Sequence, residues 1–170
     1  LNKKIIVWSA LGYKRLLSAF FWTETLLNSD YTHYEGEDLQ SWMKYRFDLV
    51  TDLEPLFYEV YKFGGLYLSV VKDDVKGADY ILEKGQRFFP GDFWINYYHA
   101  YNAQFELKNY KKAIKSYEKI LNHPLTIERF VLIPSIYASL KLKKEKTNLN
   151  YALSLLEYSY SIMENKGIKE

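Results

Sequence analysis

There is no cysteine in this chain, and only 8 glycines and 4 prolines among its 170 residues. The first absence excludes disulfide staples, thiolate zinc sites and cysteine nucleophiles. Scarce glycine goes with the lack of any Gly-x-Gly-x-x-Gly, any phosphate-cradling loop ending in Lys-Ser/Thr and any Gly-x-Ser-x-Gly elbow. Charge of one sign is missing too. With 23 basic and 21 acidic residues the net charge is +2, too weak a field to steer nucleic acid or an anionic membrane surface. No long apolar run compensates. The stretch from Ile5 to Tyr13 is broken by Lys14 and Arg15, well short of the ~20 residues that span a bilayer, so no integral membrane span is expected. The first residue is Leu1, from which a region upstream is expected, and export or membrane association is favoured over the cytoplasm.

Rings are what the chain has in plenty: 17 Tyr, 10 Phe and 4 Trp, which favours helices packed through large side chains. A chain of 170 residues can bury a core unaided, so one domain over residues 1–170 is expected. Chemistry-bearing patterns are sparse. His33, His99 and His123 are far apart and fit no ligand spacing, and the acids Asp30, Glu35, Glu37 and Asp38 lack the alternation of a calcium loop. No catalytic residue, metal or cofactor is therefore expected. The lysines 108, 111, 112, 115 and 119 form a basic ridge, read as a solvated helix face.

The organisation lies in a repeat. Pro55, Pro90 and Pro124 fall 35 and 34 residues apart, about one helical hairpin. Between them Tyr61, Gly64, Gly65 and Leu68 share the i, i+3, i+4, i+7 spacing of one helix face, and Tyr97, Ala100, Tyr101 and Gln104 answer them in the next copy. Ala78, Leu82 and Gly85, then Ala113, Tyr117 and Ile120, mark the second helices, with Met43, Phe47 and Val50 in the equivalent places earlier. Polar breaks at Lys72-Asp73-Asp74 and Lys108-Asn109 supply caps. Gly64-Gly65, costly in mid-helix, reads as a notch where helices approach closely. Extending the frame gives a first helix over about residues 13–29 with a break at 35–38, and a later helix over 127–142 followed by a basic linker over 141–150. Eight helices are expected in four pairs, over residues 13–52, 53–89, 90–124 and 125–165.

Asn109 to Leu121, with Ala113 and Tyr117, resembles the second helix of the tetratricopeptide repeat family, and Asp74 to Pro90 is similar to it. The likeness covers residues 53–124 well and the flanks in outline. It implies an all-α fold, a right-handed α-solenoid of antiparallel helix pairs, and a non-enzymatic scaffold or adaptor that binds a protein or peptide in a concave groove. By the same resemblance that groove is lined by Glu59, Lys62, Leu66, Ser69 and Val70, then by Ile95, Tyr98, Asn102, Phe105 and Glu106. Lys62 and Asn102 fall in different copies, so the two-carboxylate clamp of chaperone-tail binders is not expected. A small-molecule or lipid-binding helical domain is the alternative. The helix from Leu16 to Leu27 is apolar almost all round, so either the arm Ile5–Trp8 and Trp42, Met43 and Phe47 cover it, or its outer face docks a partner or a second copy.

Overall fold

At three turns of this chain a short polar side chain closes an open amide of the next helix. The Asp74 carboxylate accepts from Gly77 N at 2.8 Å, Asp92 from Ile95 N at 2.8 Å and Asn109 from Lys112 N at 3.2 Å. The computed structural model describes residues 5–7, 10, 12–29, 42–145 and 149–165, and every regular element among them is helical. The expected break at residues 35–38, the acids from Asp30 to Asp38, and His33 lie outside them. The chain divides into two compact units, Leu1–Phe89 and Pro90–Glu170.

In the first unit α1 (Lys14–Leu27) packs on α2 (Trp42–Leu53), and α2 packs in turn on the hairpin of α3 (residues 58–70) and α4 (Val75–Phe88). Met43, Phe47 and Val50 are fully buried along α2, as are Tyr61 and Leu68 on α3 and Ala78 and Leu82 on α4. The glycine notch is real in this geometry. A Cβ on Gly65 would stand 2.5 Å from Leu82 Cγ, and one on Gly85 would stand 2.9 Å from Tyr61 Cβ. Those two glycines let α3 and α4 close on each other.

The second unit repeats the hairpin with α5 (residues 93–106) and α6 (Tyr110–Glu118). A short helix α7 (Pro124–Glu128) follows, and then the pair α8 (Ile133–Glu145) and α9 (Leu149–Asn165), with α6 packed against α8. Its core joins Phe93, Ala100, Ala103, Ala113, Ile114 and Tyr117 to Ile133 and Tyr137.

Turn geometry recurs at a step of 35 residues. Asp73 and Lys108 both sit at φ 53°, the left-handed region that side chains seldom occupy. Asp74 N reaches Leu68 O at 2.9 Å and Asn109 N reaches Ala103 O at 2.7 Å. The Tyr61 hydroxyl donates to Pro55 O, and Asn96 Nδ2 to Pro90 O, each at 3.0 Å. Position 61 is therefore answered by 96, not by 97.

Several expectations need correction. The inward face of α5 is Asn96, His99, Ala100 and Ala103, one residue earlier than the stripe of Tyr97, Ala100, Tyr101 and Gln104. Tyr101 is 41% exposed. Both first helices also contain a π-helical turn, Val60–Gly64 and Asn102–Glu106, and nothing in the i, i+3, i+4, i+7 pattern marks one. The helix expected over 127–142 is two helices, because Pro134 lacks an N–H and its ring would strike the carbonyl four residues back, so the second helix starts beside it. The basic stretch expected as a linker from Lys141 continues α8 as far as Glu145. His123 stands at the head of α7, where its Nδ1 accepts from Leu125 N at 3.1 Å. Leu16, Phe20 and Leu27 remain 60–77% exposed, and among the described residues α1 is covered by Ile6, Val7 and Ala10 near Leu17 and Phe21 and by Phe47 against Trp22.

Three enclosed phenols make the fold sensitive to alkali. Burial raises Tyr137 from the ordinary 10 to about 12, with Glu118 adding to the rise. Desolvation also pushes up Tyr61 and Tyr117. A folded-state value above the unfolded one contributes stability that is full below the unfolded value of about 10 and is lost as pH climbs through the folded one. Absorbance at 295 nm is thus expected to rise in two phases. The later phase belongs to the enclosed phenols and comes only together with loss of helical circular dichroism, at or above about 12. A single phase centred near 10 with the helices intact would contradict the burial of these rings.

Candidate partner-binding surface

The first helix of the second unit carries rings on the side away from its core. Asp92 sets the register of α5, Phe93, Ala100 and Ala103 anchor it inward, and Trp94, which itself packs against that core, begins a row continued by Tyr98, Tyr101 and Phe105 at steps of four, three and four. Centroids are 5.7 Å apart from Trp94 to Tyr98 and 4.7 Å apart from Tyr101 to Phe105. Tyr97 flanks the row, 5.8 Å from Tyr98, and leans on Phe130 at 5.2 Å. Phe130 also meets Trp94 edge-on, so the near end of the ladder is held by packing while Phe105, 50% exposed, stands in solvent. Burial raises the Tyr97 and Tyr98 phenols, with Tyr101 and Tyr97 respectively adding to it, which keeps both as hydroxyl donors well above neutral pH.

The expected groove residues fall into two groups. Glu59 and Val70 are exposed or nearly so at the ends of α3, and Lys62, Leu66 and Ser69 are half-buried along it. The Lys62 ammonium lies 5.0 Å from the centre of the Phe63 ring and 5.8 Å from that of Tyr58, a pairing of cation and ring faces. On α5, Tyr98 is half-buried and Phe105 and Glu106 are exposed, whereas Ile95 and Asn102 are enclosed at 0% and 1%. The 35-residue step accounts for the difference: Ile95 answers Val60, a core residue, and the surface positions 59, 62, 66, 69 and 70 are answered by Trp94, Tyr97, Tyr101, Gln104 and Phe105. The resemblance thus misses Trp94, Tyr97 and Tyr101 by one residue, although Pro55 and Pro90 already carry the right step. Asn102, being enclosed, offers no surface amide.

The second helix α6 presents Lys111 and Lys115 to solvent, Lys119 is exposed just past its end, and the buried Ser116 Oγ lies 2.7 Å from His99 Nδ1. Among the described residues no helix is long and apolar enough to cross a membrane. No family model matches this chain, and no curated protein or solved structure matches it either.

Proposed function

We propose that this chain is a non-enzymatic tetratricopeptide-like scaffold, its helix pairs stacked as a right-handed solenoid. It binds a peptide or a partner helix through the outward side of its first helices. Two features support the solenoid reading: the turn geometry that recurs every 35 residues at Asp73-Asp74 and Lys108-Asn109, and the packing of each second helix on the hairpin that follows within its unit.

The observation that carries the binding reading is the ladder of Trp94, Tyr98, Tyr101 and Phe105. Rings of this kind give large contact area at small entropic cost, and a row with a half-buried end and an exposed end offers anchored rings to an incoming apolar side chain. The Tyr98 and Tyr101 hydroxyls add polar orientation, so the fitting partner is a segment with apolar anchors a helical turn apart.

Peptides selected from a random library on the purified protein test the reading. Selected sequences are expected to be rich in Leu, Phe and Trp. Tyr101→Ala and Phe105→Ala are each expected to weaken them by about 1–2 kcal/mol, roughly 5- to 30-fold, with helical content unchanged. Tyr160→Ala, an exposed ring on α9, is the control. Peptides that bind equally well to the Tyr101 and Phe105 variants would remove the ladder from the mechanism.

A further inference from the structure

In the first unit a half-open cleft of about 770 Å³ lies where α1 meets α2. Its walls are apolar and ringed: Ile6, Phe21, Trp42, Tyr45 and Leu49, with Arg46 among them. That size falls in the range of about 300–1,000 Å³ typical of small-molecule sites, and an apolar wall with very few convergent polar groups is their usual composition.

The two charged side chains at the cleft differ in what they can still do. Asp48 is committed, since its carboxylate accepts from Lys84 Nζ at 2.8 Å and from the Tyr80 hydroxyl at 3.0 Å. Arg46 is held but not saturated. One nitrogen, Nη1, pairs with Glu24 Oε2 at 3.1 Å, and the guanidinium lies 5.5 Å from the Phe21 ring centre. A guanidinium has five N–H donors in a planar fork, and among the described residues no acceptor besides Glu24 meets this one. Its side chain is 35% exposed, so a ligand reaches it without unfolding anything.

We propose that this cleft binds an amphipathic carboxylate, with the acyl or aryl part against Phe21, Trp42, Tyr45 and Leu49 and the carboxylate on the free edge of Arg46. Glu24 and Phe21 fix the guanidinium in advance, so little side-chain freedom is lost on binding. Glu24 also competes for the same charge, which gives the site an internal brake. The cleft shares no residue with the ladder on α5, and either site can fail without the other.

Calorimetry on the full chain with octanoate and with 1-octanol, the same tail without the charge, is the test. Octanoate is expected to bind saturably and more tightly than octanol. Arg46→Gln is expected to weaken octanoate about tenfold and leave octanol unchanged, because it removes one charge-assisted contact. Glu24→Gln should move octanoate the opposite way, tightening it. Backbone amide shifts map the location even if a variant is poorly behaved, and the expected changes centre on α1 and α2. The proposal is overturned if octanoate does not saturate the protein, if Arg46→Gln leaves its affinity unchanged, or if the shifts cluster elsewhere.

Discussion

Phe47→Ala is expected to destabilise the first unit by about 3–5 kcal/mol, the cost of emptying a fully enclosed ring site. Phe47 is 0% exposed and fills the space between α1 and α3, with its ring 5.4 Å from Trp22 and pressed against Gly64. A glycine cannot collapse into the void, so the cavity persists and the loss sits at the upper part of the range. The same geometry predicts a change of sign at the neighbouring position. In the native chain a Cβ on Gly64 would meet Phe47 ring atoms at 3.0–3.3 Å, so Gly64→Ala costs stability by overpacking. In the Phe47→Ala background the clash is gone. Gly64→Ala should then recover about 1 kcal/mol from helix propensity and cavity filling. Urea unfolding followed by tryptophan fluorescence, with Trp22 beside the site, reads all four proteins of the cycle. A loss under ~1 kcal/mol for Phe47→Ala, or additive effects across the cycle, would show that the ring and the glycine do not share one packing site.

Such packing is legible in the sequence itself, because Met43, Phe47 and Val50 carry helical spacing and all three are fully enclosed. The polar breaks are legible for a related reason: Asp74 and Asn109 close open amides locally, and a cap needs only its own helix. Frame is harder. Asn96 and His99 are polar residues in the places where Tyr61 and Gly64 stand one repeat earlier, so apolar spacing alone points one residue on, to Tyr97 and Tyr101. Each makes a hydrogen bond within the unit: Asn96 donates to Pro90 O, and His99 Nδ1 meets Ser116 Oγ. Those partners come together only in the folded chain. A single-residue slip in a helix rotates a position by roughly 100°, which carries Ile95 and Asn102 onto the expected surface and hides Trp94, Tyr97 and Tyr101. The cleft at Arg46 has no sequence signal either, since it is built from Ile6 and residues of two helices whose spacing follows no motif.

Least legible of all is a buried ion pair between hairpins. Lys84 on α4 is inserted among acceptors from α2: its ammonium donates to Asp48 Oδ1 and Thr51 Oγ1 at 2.8 Å each, and to the Asp52 carboxylate. The Lys84 and Asp48 side chains are only 14% and 11% exposed, so water screens them weakly. Lys84→Met keeps the length and removes the charge, leaving an enclosed carboxylate without its counter-ion. The expected loss is about 3 kcal/mol, near the lower end for broken buried pairs because some water still reaches the site. Replacing the more enclosed carboxylate as well, in Lys84→Met/Asp48→Leu, should restore most of that loss, since desolvated ions gain little over well-packed side chains and the Asp52 carboxylate, 30% exposed, keeps its contact with water. If the double variant returns to native stability, the pair contributes little net energy, and its effect is on which arrangement forms: it penalises any docking of α4 on α2 in which Lys84 misses Asp48. If the double variant is as unstable as Lys84→Met, the ion pair itself holds these helices together, and adding salt should leave its strength nearly unchanged. A Lys84→Met loss below ~0.5 kcal/mol would place the pair with exposed surface bridges and remove it from both accounts.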